Sequence, residues 1–308
     1  MAVAPEVRIG TRRSPLALAQ TIEVKDLLIQ SNINFSKPGA IKIKKIKTSG
    51  DVHLDRPLAE IGGKGLFTKE LDLALLGNQI DIAVHSVKDV ETNLPDGVLL
   101  AAFLKREDPR DAFISLKTQT LINLPLGSIV GSSSPRRQAQ LLHRRPDLKI
   151  ELLRGNIQTR LKKLANGDVD ATILASAGLK RLGLAAKATE ILSVDDMLPA
   201  VGQGAIGVSC RTCDVRVQEW LAKINHRETE ICIKAERALL ATLGGSCRTP
   251  IGGFAQVSGN QLRLRGMVAS IDGIELYEAE LIGDIEKAEA IGKYVGEELR
   301  LQASEALF

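Results

Sequence analysis

Short runs rich in Val and Ile alternate with helix-like stretches along most of this 308-residue chain, and that alternation limits the fold more than any other feature. Residues 7–10, 41–46, 80–85, 98–103, 128–131, 171–175 and 207–210 read as strands. Residues 16–30, 68–76, 137–143, 159–164 and 216–223 read as helices. Strands interleaved with helices predict an α/β architecture with parallel or mixed sheets. After residue 227 the order changes: a helix over 228–243, strands over 251–257, 261–269 and 274–281, and a last helix over 285–303. Turn residues at 258–260 and at Asp272-Gly273 favour hairpins, so the tail predicts a small α+β unit with its own antiparallel sheet.

Composition narrows the function. Aromatic residues are 3% of the chain and the net charge is only +4, which disfavours both base stacking and a basic nucleic-acid surface. Four cysteines in a chain of this length are too few for a disulfide scaffold. Cys210 and Cys213 form a lone CxxC with no second pair at zinc spacing. No apolar run reaches membrane-spanning length, and the first residues as written lack a secretory pattern. The charge is uneven, however. Residues 1–50 carry nine Lys/Arg and three Asp/Glu, residues 136–163 nine and two, and residues 268–308 three and ten. Two basic regions far apart in sequence can converge on one anionic ligand, or form ordinary solvated faces.

The basic residues concentrate at strand-to-helix junctions. RIGTRRSPLALAQ (8–20) places Arg12 beside Ser14-Pro15, a suitable N-cap and first helical residue, and serves capping alone as well as anion binding. GSSSPRRQAQLL (131–142) sets Arg136 and Arg137 at a helix start, where cations oppose the dipole unless an anion sits there. LRGNIQTRLKKL (153–164) adds Arg154 and Arg160, and ASAGLKRLG (175–183) adds Arg181 after a small-residue turn. Arginine suits bidentate carboxylate recognition, so three such junctions within fifty residues point to a polyanion.

Other segments carry distinct chemistry. GGKGLFTKEL (62–71) lacks the GK[ST] ending of a phosphate loop and reads as a Gly-rich loop tipped by Lys64. DIAVHSVKDV (81–90) ends an apolar strand in Ser86, Lys88 and Asp89, the place where open α/β sheets face a cleft. There a carboxylate among cations stabilises a cation or moves a proton, unless the segment is simply a salt-bridging turn. Residues 202–207 match GxGxxG literally. They precede a strand instead of following one, so a hinge is the better reading. Cys247 lies in LGGSCRTPIGG (243–253) with Arg248 adjacent, and a neighbouring cation raises the thiolate population.

These segments occur together in the order and spacing of one family. With KTSGD, REDPRDAF and LPAVGQGAIG they make the chain resemble the hydroxymethylbilane synthase (porphobilinogen deaminase) family from about Arg8 to the last helix. The resemblance implies three α/β domains: 1–104 with 205–222, 105–204, and 223–308. The first two would be periplasmic-binding-protein-like with an active cleft between them, and the third a small α+β domain. It implies a transferase of tetrapyrrole (haem and chlorophyll) biosynthesis that joins four porphobilinogen molecules head to tail, releasing ammonia and finally hydroxymethylbilane.

Chain growth would start on a dipyrromethane cofactor held by Cys247 through a thioether. By the same resemblance Asp89 is catalytic, stabilising the azafulvenium-like cation that loss of ammonia leaves. Lys88, Arg136, Arg137, Ser133, Ser134, Arg160 and Ser86 bind the cofactor. Arg12, Ser14, Arg154, Arg181, Lys64, Phe67 and Gln203 serve the substrate or hinge. Three positions depart from the common pattern: Glu91 where proline is usual, Pro135 where leucine is usual, and Cys213 where an acid is frequent. Expected with this are a monomer acting on a small molecule, no metal, no nucleic-acid or membrane partner, and a cytoplasmic or plastid-stromal location. The competing reading is a non-catalytic module for a small anion, which would need neither Cys247 nor Asp89.

Overall fold

The structure is a computed structural model that describes residues 6–51, 65–245, 249–303 and 307. The described residues fall into two compact units, one from 6–51, 65–106 and 205–230, the other from 107–204, 231–245, 249–303 and 307. The chain first forms β1 (Val7–Arg12), α1 (Pro15–Ser31), β2 (Ile41–Ile46), α2 (Lys69–Leu76), β3 (Ile82–Ser86) and β4 (Val98–Phe103). It continues through β5 (Asp111–Ser115), β6 (Ile129–Ser132), α3 (Pro135–Arg144), β7 (Lys149–Leu152), α4 (Ile157–Ala165), β8 (Ala171–Ala175), α5 (Ser176–Arg181) and β9 (Glu190–Ile191). It then adds β10 (Ile206–Arg211), α6 (Val215–Ala222), α7 (Arg227–Thr242), β11 (Ile251–Ser258), β12 (Gln261–Ala269), β13 (Leu276–Asp284) and α8 (Ala288–Gln302). The mixed α/β architecture and the separate C-terminal sheet agree with the fold class expected from sequence. Among the described residues no helix is long and apolar enough to cross a membrane.

The first unit holds a sheet of order β2-β1-β3-β10-β4. β1 pairs in parallel with β2 and β3, and β10 runs antiparallel to β3 and β4. Both faces are covered, as parallel strands require. Ile82 and Val84 of β3 pack with Val24 and Leu28 of α1 and Trp220 of α6, while Ala83 between them packs with Leu71 and Leu75 of α2. β2 lies at the edge, and its exposed Lys42, Lys44 and Lys45 discourage further strand pairing.

The second unit contains two sheets. One has the order β7-β6-β8-β5-β9, with β6 parallel to β7 and β8, and β5 antiparallel to β8 and β9. Each five-stranded sheet thus receives its internal antiparallel strand, β10 or β5, just after the chain changes unit. The other sheet is the meander β11-β12-β13. It is backed by α7 and α8, whose Ile231, Ala235, Leu239, Ile291, Val295 and Leu299 repeat at helical spacing and are buried. Gly292 lets the two helices touch, since a Cβ there would stand 2.2 Å from the Ala235 carbonyl oxygen. Ala139 of α3, Leu198, Phe254 and Met267 share one apolar cluster, so the C-terminal sheet packs directly on the helix that carries Arg136 and Arg137. Buried Glu236 on α7 accepts hydrogen bonds from Gly202 N at 2.7 Å and Ala255 N at 2.8 Å, which ties the segment before β10 to this sheet.

Some elements differ from the sequence reading. The small residues at 175–178 read as a turn but begin α5, because Ala177 and Leu179 are buried there and burial outweighs weak propensity. β13 starts at Leu276 because Ser270 N donates to Glu275 O and closes a loop that leaves Ile274 in solvent. α8 starts at Ala288, after a short 3-10 turn over Ile285–Lys287 capped by Asp284. β5, β7 and β9 were not read from sequence, being short and not purely apolar.

Candidate active site

In the first unit the β1–α1 junction and the end of β3 meet around one pocket. Ser14 has extended backbone and its hydroxyl accepts from Ala17 N at 3.2 Å, with Pro15 as the first helical residue. The cap expected from sequence is therefore present, and it starts α1 just after Arg12. β3 ends at Ser86, and a 3-10 turn over Val87–Asp89 carries Lys88 and Asp89, both half-buried. Arg12 Nη1 lies 3.5 Å from Asp89 Oδ2, and the guanidinium sits over the Phe67 ring at 4.2 Å from its centroid. Arg12, Ser14, Phe67, Ser86 and Asp89 all line the pocket. Its volume of about 40 Å³ is enough to hold a water or a ligand's carboxylate.

Gln20 and His85 line the same pocket and were not singled out from sequence. Gln20 Nε2 donates to Ser86 Oγ at 2.9 Å and so fixes that hydroxyl. His85 bonds Ser209 Oγ through Nε2 at 2.8 Å. Burial, with the nearby Arg12 charge adding to it, pushes its imidazole down to about 4, so the ring is neutral at ordinary pH. A polar residue on the apolar stripe of α1 was the available signal for Gln20. The signal for His85 was its place beside Ser86 in the polar end of the apolar run 82–84.

In the second unit Arg136 and Arg137 begin α3, with Pro135 as its first residue and the Ser134 hydroxyl accepting from Arg137 N at 3.4 Å. Proline at this departure from the family pattern thus falls where its ring fits. Ser133 is half-buried next to them. The anion that the junction called for is Asp111. Arg136 Nη2 donates to its Oδ2 at 2.7 Å and Arg137 Nη2 to its Oδ1 at 2.8 Å. Arg136 also donates to Leu198 O and Arg137 to Ile173 O. Burial raises the Asp111 carboxyl, and the two guanidiniums more than offset this, holding it well below the usual carboxylate range. Among the described residues Arg136 Nε remains a buried donor without a hydrogen-bond partner.

Gln203 is buried and donates to Asp111 Oδ1 at 2.9 Å and Pro109 O at 2.6 Å. Arg181, at the end of α5, donates to Gly204 O at 3.1 Å. Arg154 is buried after β7, and Arg160 of α4 donates back to Gly155 O at 2.8 Å. Sequence reasoning missed Asp111, whose signal was an acid heading the apolar run Ala112–Ile114. Lys64 and Cys247 lie outside the described residues. Glu91, the other departure nearby, accepts from Gly65 N at 2.6 Å. Cys210 and Cys213 are free thiols, and burial pushes Cys210 up to about 11. Among the described residues no group of His, Cys, Asp and Glu is placed to hold a metal ion.

Two family models match the chain. Residues 7–219 fit the porphobilinogen deaminase, dipyromethane cofactor binding domain, and residues 230–300 the porphobilinogen deaminase, C-terminal domain. A chloroplastic porphobilinogen deaminase of Pisum sativum is 54% identical over 98% of this chain and 83% of its own length. A porphobilinogen deaminase of Nitrobacter hamburgensis is 53% identical over 97% of this chain and 94% of its own. Among solved structures, a periplasmic substrate-binding protein of an ABC transporter from Coxiella burnetii is 16% identical with a TM-score of 0.43, covering 71% of this chain and 91% of that one. Two matching domain models and relatives more than half identical over almost the full length leave one conclusion: this chain belongs to the porphobilinogen deaminase family.

Proposed function

We propose that the chain is a transferase that joins four porphobilinogen molecules head to tail onto a dipyrromethane primer, releasing ammonia at each addition and then hydroxymethylbilane. The observation that carries this reading is Asp89, held at the end of β3 and 3.5 Å from Arg12 in a pocket lined by the Ser14 and Ser86 hydroxyls. Its carboxylate stabilises the cation left as ammonia departs and carries protons at the reacting atoms. Arg12 and Ser14, with Arg154, Arg181 and Lys64, bind and orient the acetate and propionate groups of the substrate, and Phe67 and Gln203 serve the cleft or hinge.

The residues present fit the primer. Two buried guanidiniums share one carboxylate, so one positive charge is left over, and Arg136 Nε has no acceptor among the described residues. A carboxylate of the ligand supplies both needs. Arg136 and Arg137, with Ser133, Ser134, Arg160, Lys88 and Ser86, would hold the primer, and Cys247 would bind it through a thioether. When bound, the dipyrromethane supplies the end on which the chain grows.

The working domains in this reading are 1–104 with 205–222, 105–204 and 223–308, with a hinge near 199–207. The protein acts as a monomer on a small molecule, in a bacterial cytosol or a plastid stroma. The relatives from Nitrobacter and from pea chloroplasts support the location.

Intact-protein mass spectrometry tests the reading. The purified chain should carry a covalent adduct of two pyrrole units, and Cys247→Ser should lack it. An unmodified wild-type mass with full activity overturns the reading. Anion binding without turnover would instead leave a non-catalytic module.

A further inference from the structure

Arg136 and Arg137 are adjacent, nearly out of solvent, and placed at a helix start where the dipole disfavours cations. Two cations cannot stay buried without counter-charge. Asp111, wholly buried at the first position of β5, supplies it. Its Oδ2 accepts from Arg136 Nη2 at 2.7 Å, and its Oδ1 accepts from Arg137 Nε at 3.2 Å, Arg137 Nη2 at 2.8 Å and Gln203 Nε2 at 2.9 Å. The carboxylate therefore fixes the planes of both guanidiniums. It cancels only one of their two charges, and among the described residues it leaves Arg136 Nε as a buried donor with no acceptor.

We propose that Asp111 is a positioning residue for primer binding: it holds the Arg136 and Arg137 guanidiniums so that their unused N–H groups and surplus charge meet a primer carboxylate. Through Gln203 the same carboxylate ties that placement to the segment leading into β10. The inference rests on the assignment of Arg136 and Arg137 to the primer made under Proposed function. Asp111 itself touches neither primer nor substrate. A guanidinium fork held in place loses less freedom on binding a carboxylate than one free to change rotamer.

The test compares wild-type protein with Asp111→Asn and Asp111→Glu. Asn keeps the shape and removes the charge, whereas Glu restores the charge on a longer stem. Intact mass gives the fraction of molecules carrying the adduct. Steady-state kinetics on the loaded molecules give kcat and KM for porphobilinogen, and circular dichroism reports folding. In Asp111→Asn the loaded fraction should fall about tenfold or more, as expected for losing charged hydrogen bonds. In molecules that do load, kcat should fall about tenfold with KM within about twofold. Asp111→Glu should recover part of the loading.

Normal loading and turnover in folded Asp111→Asn overturns the proposal, and so does a variant that merely melts earlier. If the single variant does not fold, Asp111→Asn with Arg137→Met keeps one surplus charge and relieves the repulsion. Wild-type loading in that double variant also overturns the proposal. An adduct missing from the wild type would instead fail the functional reading itself.

Discussion

The Arg12 guanidinium sits over the Phe67 ring, 4.2 Å from its centroid, while its Nη1 lies 3.5 Å from Asp89 Oδ2. The ring face adds a cation–π contact to the ion pair that Arg12 makes with Asp89. A cation–π contact at a partly exposed site is worth about 0.5–1 kcal/mol. Phe67→Leu should therefore raise KM for porphobilinogen about two- to fivefold and change kcat less, as read from steady-state kinetics. An unchanged KM would mean that the ring does not help place Arg12.

Asp89→Asn keeps the size of the side chain and removes the charge set against the departing ammonia. Ammonia release in a single turnover should slow by about a hundredfold or more. Because Asp89 is half-buried and its ion pair with Arg12 is partly solvated, urea unfolding should shift by less than about 1 kcal/mol. A large stability loss with normal ammonia release would assign Asp89 to structure instead.

His85 gives stability a pH dependence of known sign. The folded ring titrates at about 4, whereas an unfolded histidine titrates at about 6.5. Between these values the unfolded chain binds the extra proton, so this group costs stability as pH falls, up to about 3 kcal/mol. Asp72 acts in the opposite direction: burial pushes it up to about 6, so the folded chain keeps a proton there that the unfolded chain has lost. The two slopes oppose one another over nearly the same window. His85→Gln removes one of them, and relative to wild type it should gain stability at pH 5 compared with pH 7.5. Urea titrations at the two pH values check this, and an equal difference at both would refute it.

Gly204 has φ of +89°, and a Cβ there would stand 2.4 Å from the Glu107 carbonyl oxygen. Gly204→Ala should cost about 2 kcal/mol or more, seen as a lower urea midpoint. Loss near zero would mean that the Glu107 backbone yields without strain.

Much of this was legible locally. The strands over 41–46, 98–103, 171–175 and 261–269 were read with their observed limits, and Ser14-Pro15 and Ser134 cap the helices expected to follow them. Capping and periodicity are settled by residues within about a turn of one another, so a sequence displays them directly. The anionic chemistry was also visible, as arginines repeated at strand-to-helix junctions. The identity of their partners was not.

Asp111 meets Arg136 across 25 residues and Gln203 across 92, and β10 enters the first sheet between β3 and β4 after the chain has built β5 to β9 elsewhere. Gln20, His85 and Asp89 come to one pocket from α1 and the end of β3. No short window can contain those pairings. They exist because buried charges and strand edges must find hydrogen-bond partners somewhere in the folded chain, and only tertiary packing decides which ones are within reach.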